Sequence, residues 1–375
     1  MTIKEDIRLN YKKILVRSTN WLGDAVMSTP FFKALDEIFP EAFIEVMALA
    51  YIAPVFENNP HIDSIKILKR DRGFKALCAN VISFVSRRDK NEYDLGISLP
   101  NSIGAALDLK RAGCREILGY DRGWRGFLLN RRVKFTKEIF HVHEIYYYLN
   151  LLGCFMNKNI DIIEKPRDFY FDITRCEPAY ELFLSEDESL GAKKRLEKMG
   201  ILADRDIILG VNPGAFFGSA KRWFTDRYKK TLEILSAKFP RLKILVFGSE
   251  KENGIGAAIC SGLDKAAFNM CGATDIRELI ALVSKCRLFL TNDSGAMHIA
   301  AAFNVPIVAV FGSTDHRSTY PLCEKYSIMR KPVDCSPCKR RECPVKHHLC
   351  MENISVEEVA ARMSSEIERI DLCQK

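Results

Sequence analysis

The chain has 375 residues, 47% hydrophobic and 28% charged, with a formal net charge of +8. That length allows two domains of ordinary size, each with its own core, and the composition excludes a disordered or fibrous chain. The charge is modest for nucleic-acid binding and favours an anionic partner or a membrane surface, so no nucleic acid is expected.

Strand and helix alternate along the first half. Lys13–Ser18 is expected as a strand, followed by the loop Thr19–Ser28 and a helix ending near Pro40. Strands are predicted at Phe43–Ala48, Ile65–Leu68 and Tyr93–Leu99, with helical segments near Phe74–Arg87 and Ile103–Ala112. This rhythm predicts a parallel, doubly wound sheet. No GxGxxG follows the first strand, which argues against a dinucleotide dehydrogenase. Lys110–Lys137 breaks the rhythm, with nine Lys or Arg against Glu116 and Asp121, interleaved with Gly123, Trp124, Gly126 and Phe127. It reads either as solvated surface or as a loop whose arginines, Arg122, Arg125 and Arg131, bind phosphate on an anionic acceptor. An apolar helix, Ile139–Phe155, closes the half, and the charged stretch Asn157–Ser189 contains the expected linker.

The second half restarts the pattern. A strand is expected at Asp206–Asn212, a helix at Thr225–Phe239 with Thr225 as N-cap, a strand at Lys243–Phe247 and a helix at Asp275–Ser284. Leu288–Phe311 then reads as strand, polar turn (Asn292–Gly295), short helix to about Ala302, and strand (Ile307–Val310). The final helix, Ser355–Leu372, opens on a capping box between Ser355 and Glu358. We therefore expect an α/β chain of two Rossmann-like doubly wound domains, 1–180 and 181–375, facing across a cleft. The opening residues, MTIKEDIRLNYKK, lack an apolar signal-peptide core. The run Leu288–Thr314, free of Lys, Arg and Glu, is broken by polar residues and fits a buried unit better than a membrane span. A cytoplasmic protein is expected.

The loops after strands carry the chemistry. In the turn Asn292–Gly295, Gly295 permits close backbone approach and the helix start favours an anion. His298 follows Ser294 by one helical turn and reaches back towards it. Asp293 does not fit a pure phosphate cradle, because two unit charges about 4 Å apart repel by roughly 4 kcal/mol at an effective dielectric near 20. It should face hydroxyls or a cation, as with a sugar joined to a diphosphate. The plainer alternative is that Asp293 or Ser294 caps the helix and His298 is packed. In the loop Asn212–Trp223, Pro213, Gly214 and Gly218 shape a turn beside Lys221 and Arg222, without the P-loop spacing. Asp24 either caps a helix or stands free as a base, because Thr29-Pro30 is an equally good helix start. Four of the 13 cysteines crowd into Cys335, Cys338, Cys343 and Cys350. A structural zinc, reduced thiols and a disulfide are all open for them.

Four ordered stretches, NWLGDAVMSTPFFKAL, EVMALAYIAPVFENNP, NPGAFFGSAKRW and TNDSGAMHIAAAFNVPIVAVFGST, resemble the ADP-heptose:lipopolysaccharide heptosyltransferases of the heptosyltransferase II type, in glycosyltransferase family 9. The resemblance implies a GT-B fold, an N-terminal acceptor domain, a C-terminal ADP-heptose domain, and inverting transfer needing no catalytic metal. It places the general base on Asp24 and the phosphate-contacting lysine on Lys221. Donor contacts fall on Gly214, Ser219, Asp293, Ser294, Gly295 and His298. The acidic residue at the adenosine ribose falls on Glu252, with Glu250 as the alternative. The partners implied are ADP-heptose and the lipopolysaccharide inner core, with peripheral contact at the anionic inner face of the membrane. Phe224 departs from the proline that usually follows this tryptophan in the family.

Overall fold

The structure is a computed structural model that describes residues 11–69, 92–139, 142–157, 165–263 and 265–373. The chain divides into two compact units, Met1–Phe183 and Leu184–Lys375. This division falls inside the expected linker stretch, although part of that stretch is helical.

The first unit holds a sheet of β1 (Lys13–Arg17), β2 (Phe43–Leu49), β3 (Ser64–Leu68), β4 (Tyr93–Ser98), β5 (Cys114–Asp121) and β6 (Arg131–Lys134). Every pairing is parallel, in the order β3-β2-β1-β4-β5-β6. Central strands of a sheet covered on both faces read as unbroken apolar runs, and Ile14, Leu15 and Val16 are fully buried. Its helices are α1 (Leu22–Met27), α2 (Thr29–Ile38), α3 (Ile103–Arg111), α4 (Glu144–Asn157) and α5 (Pro166–Thr174). The helix expected near Phe74–Arg87 lies outside the described residues.

The basic stretch Lys110–Lys137 is not the long loop it was expected to be. It contributes β5 and β6, leaving only 122–130 as connection. The charges had hidden alternation: Leu118, Tyr120 and Val133 point into the core while Arg131 and Arg132 stay outside. The helix of this region starts at Glu144 rather than Ile139.

The second unit repeats the topology with β7 (Ile207–Asn212), β8 (Leu242–Val246), β9 (Ala267–Asn269), β10 (Leu288–Asn292), β11 (Ile307–Val310) and β12 (Tyr326–Met329). The order is β12-β11-β10-β7-β8-β9, again all parallel. Its longer helices are α6 (Glu186–Lys198), α7 (Thr225–Lys238), α8 (Asn253–Cys260), α9 (Ile276–Val283), α10 (Gly295–Ala302) and α11 (Val356–Cys373). Thr225 is the first helical residue of α7 rather than its cap, since Phe224 holds the extended cap position. The capping box at Ser355 and Glu358 is formed, with reciprocal bonds of 3.2 Å. In each unit the order reverses between the first and fourth strands, and ligands of such sheets bind outside the strand ends at that reversal.

Candidate active site

In the first unit the reversal lies between β1 and β4, and the loops leaving both strands line one cavity of about 290 Å³. Thr19, Asn20 and Trp21 come from the loop after β1, Asp24 from the first turn of α1, and Leu99, Pro100 and Asn101 from the loop after β4. Arg122 and Phe135 flank β6, while Glu144, Tyr147 and Tyr148 belong to the first turns of α4. Helices start near both places the sequence offered, α1 at Leu22 and a separate α2 at Thr29 with Pro30 in its first turn. Asp24 caps neither helix: Trp21 holds the cap position of α1 and makes no side-chain cap bond. The carboxylate lines the cavity instead, near enough to Tyr148 to add to what burial does in raising that phenol's pKa. Glu144 is a second carboxylate of the cavity, and its place in an apolar helix gave no sign of that role.

The three acceptor arginines have three different environments. Arg122 lines the cavity and stacks 4.3 Å from the Phe135 ring centre. Arg131 is held by Glu116 at 2.7 Å on the exposed side of β5 and β6. Arg125 is fully buried. Its guanidinium donates to the Tyr120 carbonyl (3.1 Å), Ser98 Oγ (2.7 Å), Asn101 Oδ1 (3.0 Å) and the Pro100 carbonyl. Burial pulls its pKa down to about 10, against the opposing effect of Tyr147 and Asp121. Arg125 therefore fixes the cavity wall at Pro100 and Asn101, and Asn101 in turn donates to Tyr147 Oη at 2.6 Å. Gly123 has a left-handed φ of +70°, and a Cβ there would lie 2.6 Å from the Asn101 carbonyl oxygen.

In the second unit the loops after β7 and β10 meet. Lys221 Nζ donates to Asp293 Oδ2 at 2.6 Å, and Thr314 Oγ1 donates to the same oxygen at 2.6 Å. Asp293 thus faces a cation and a hydroxyl, both from the protein. Burial pushes its carboxyl pKa up, but Lys221, Thr314 and nearby His298 outweigh that and hold it below the ordinary value. Asn292 binds the two loops together. Its Oδ1 accepts from Trp223 N–H (3.0 Å) and Tyr228 Oη (2.9 Å), and its Nδ2 donates to the Pro213 carbonyl (2.7 Å). Asn292 and Thr314 are positioning residues that the sequence reading passed over.

Ser294 occupies the N-cap of α10 without a side-chain cap bond, and its Oγ lies 3.0 Å from Thr291 Oγ1. Gly295 begins the helix and His298 is buried one turn on. Ser219 lies exposed in the short turn Ser219–Lys221. Of the two glutamates, Glu252 reaches the loop: its carboxylate accepts from Ser249 N–H (2.9 Å) and stands 3.5 Å from Arg222. A Cβ on Gly214 would collide with it at 2.1 Å, which accounts for glycine there. Glu250 instead backs onto Gly272.

The cysteines of segment 335–350 gather at one end of this unit. Burial first, then the nearby sulfurs of Cys335, Cys338 and Cys343, raise the Cys350 thiol pKa. Cys335 Sγ stands 4.0 Å from His347 Nε2. Among the described residues no group of three or more His, Cys, Asp or Glu is arranged to hold a metal ion. Cys335, Cys338, Cys343 and Cys350 are all free thiols, with Cys335 exposed and Cys350 buried. No described helix is long and apolar enough to cross a membrane.

Two Rossmann-like units of identical strand order, each carrying its polar loops at the reversal point, define the GT-B class of α/β protein. Comparison with known proteins makes the assignment particular. The model of glycosyltransferase family 9 (heptosyltransferase) matches residues 82–349, and the chain belongs to that family of glycosyltransferases. It is 30% identical over 326 residues to lipooligosaccharide heptosyltransferase 2 of Haemophilus influenzae, covering 84% of this chain and 88% of that protein. It is 28% identical over 362 residues to lipopolysaccharide heptosyltransferase 2 of Escherichia coli, covering 94% and 98%. The solved structure of E. coli ADP-heptose LPS heptosyltransferase II matches with a TM-score of 0.77 at 25% identity, over 96% of this chain and 99% of that one.

Proposed function

We propose that the protein transfers heptose from ADP-heptose to the inner core of lipopolysaccharide, as an inverting enzyme of the heptosyltransferase II type. The observation that carries this reading is Asp24, a carboxylate that caps no helix and lines a polar cavity at the reversal point of the first unit. An acceptor hydroxyl loses its proton to Asp24 as its oxygen bonds to the anomeric carbon. The bond from that carbon to the diphosphate oxygen breaks, and ADP departs. Lys221, with the helix start at Gly295, offsets the charge growing on the leaving diphosphate. Asp293, held by Lys221 and Thr314, is placed to exchange those bonds for sugar hydroxyls. Glu252, Ser219, Gly214, Ser294 and His298 complete the donor site in this reading, and Arg122 meets the anionic acceptor.

Peripheral contact with an anionic membrane belongs to the same proposal. Trp124 is 92% exposed and Phe127 73% exposed, on the connection between β5 and the basic strand β6. Exposed aromatics beside cations suit the headgroup region of a bilayer. A non-catalytic sugar-nucleotide-binding protein would keep the donor loops but would have no use for Asp24.

The test follows ADP release from ADP-heptose with truncated lipopolysaccharide acceptors. Asp24→Asn should fold, bind ADP-heptose like the parent, and lose about 10²–10⁴-fold in turnover. Activity surviving in Asp24→Asn but lost in Glu144→Gln would transfer the base to the cavity's other carboxylate. No ADP release with any heptose-bearing acceptor sinks the proposal.

A further inference from the structure

Beyond its cysteines, segment 335–350 is built against the loop after β7 and the loop after β11, which carries Thr314. Ser336 Oγ donates to the Gly312 carbonyl (2.6 Å) and Lys339 N–H to the Ser313 carbonyl (2.8 Å), next to Thr314, which holds Asp293. Further along, the Arg341 carbonyl accepts from Ala220 N–H (3.0 Å), the residue before Lys221. The approach is so close that a Cβ on Gly218 would lie 2.1 Å from the Arg341 carbonyl oxygen. With its backbone fixed there, Arg341 sends its guanidinium over Phe217, 5.5 Å from the ring centre. Lys221 Nζ lies 5.2 Å from the centre of the same ring. Two cations from distant parts of the sequence thus share one aromatic side chain.

The loop after β7 carries two cations of its own. Lys221 is matched by Asp293 at 2.6 Å, and Arg222 faces Glu252 at 3.5 Å. Arg341 brings a third cation to the same loop. We propose that Arg341 is a phosphate-binding residue of the donor site, supplied by the cysteine-rich segment, whose planar fork engages the diphosphate of the sugar nucleotide beside Lys221. The proposal rests on the reading of the Lys221 loop as the donor site. It also gives segment 335–350 a role in the reaction that does not depend on what its thiols bind.

Calorimetric titration of the full-length protein with ADP and with adenosine tests this. Arg341→Gln keeps the backbone contact to Ala220, so the fold should be retained. Loss of a charge-assisted hydrogen bond should weaken ADP binding about 10- to 100-fold. Adenosine, lacking phosphate, should bind the variant like the parent, and Arg341→Lys should recover part of the ADP affinity. In turnover, the donor KM should rise while the acceptor KM stays unchanged. Equal ADP affinity in parent and Arg341→Gln overturns the assignment, as does an equal loss for ADP and adenosine, which marks a purely structural residue. If the parent binds no ADP, the donor-site reading falls and the assignment of Arg341 falls with it.

Discussion

Replacing Lys221 by methionine isolates the buried ion pair at the centre of the second unit. The ammonium lies 2.6 Å from Asp293 Oδ2, with the two side chains 15% and 5% exposed. At that separation and an effective dielectric near 20, the attraction is about 6 kcal/mol. Desolvation cancels much of it, yet removing one partner of a buried pair costs about 3–5 kcal/mol, because the other charge is left uncompensated. Thr314 still donates to Asp293 in the variant, so we expect the lower end, about 3 kcal/mol. For a unit of this size that is a fall in Tm of about 6–12 °C at neutral pH. Asp293→Asn added to Lys221→Met should restore most of the loss, since it removes the stranded charge and keeps the shape. The pH dependence follows from the direction of the Asp293 shift. Its folded pKa lies below the ordinary value, so the pair stabilises fully above the unfolded pKa of about 3.9. That contribution disappears as pH falls through the folded value, and the deficit of Lys221→Met should shrink in acid. Scanning calorimetry of the parent, both single variants and the double variant gives the cycle. A Tm for Lys221→Met within about 1 °C of the parent, or losses that simply add in the double variant, would refute the reasoning.

The other expectations concern the arginines, an acid-sensitive contact and the cysteines. Arg122→Gln should raise the acceptor KM and flatten its salt dependence without moving the donor KM, whereas Arg131→Gln, already held by Glu116, should change neither. Arg125→Met should instead lower stability by about 2–4 kcal/mol, seen as a drop in Tm, because two buried and two partly buried acceptors lose their donor. The carboxyl of Glu188 is drawn down to about 2, first by Arg277 at 2.6 and 2.8 Å and then by the Ser185 cap. Its stabilisation, about 1–3 kcal/mol, should be complete above pH about 4.3 and vanish as pH falls towards about 2, and Glu188→Gln should flatten that limb of an acid titration. Chelator treatment should leave Tm and activity unchanged. Stoichiometric zinc that is lost in Cys338→Ser together with stability would reassign the four thiols as its ligands.

The central strands were legible because each buries both faces, whereas the short, half-buried edge strands β9 and β12 were not expected. Runs such as Ile207–Val211 and Leu288–Leu290 can be little else in a chain that alternates with helices. The Asn292–Gly295 turn and the Gly-rich loop before Trp223 were legible for a related reason. Glycine, proline and small polar residues gathered at a strand end mark the point where an α/β sheet meets a ligand. Where charge masked alternation, the reading failed: the stretch around β5 and β6 is so rich in Lys, Arg and Gly that it passed for a loop.

Arg125 shows most clearly what one dimension cannot supply. Composition made it one of three equivalent arginines, and only its placement beneath Ser98, Pro100 and Asn101 turned it into a wall of the cavity. In the sequence Asp24 was a possible helix cap, and only the folded chain shows that Trp21 holds that position instead. The partners of Asp293 come from loops after two other strands, and Arg341 reaches Phe217 from a different part of the chain altogether. The sequence by itself determined the two parallel sheets and the loops that carry the chemistry, because periodicity and turn residues are local properties. Which charges in those loops neutralise one another, and which remain for a ligand, was decided by tertiary structure alone, because charge pairing depends on distance in space and not on separation along the chain.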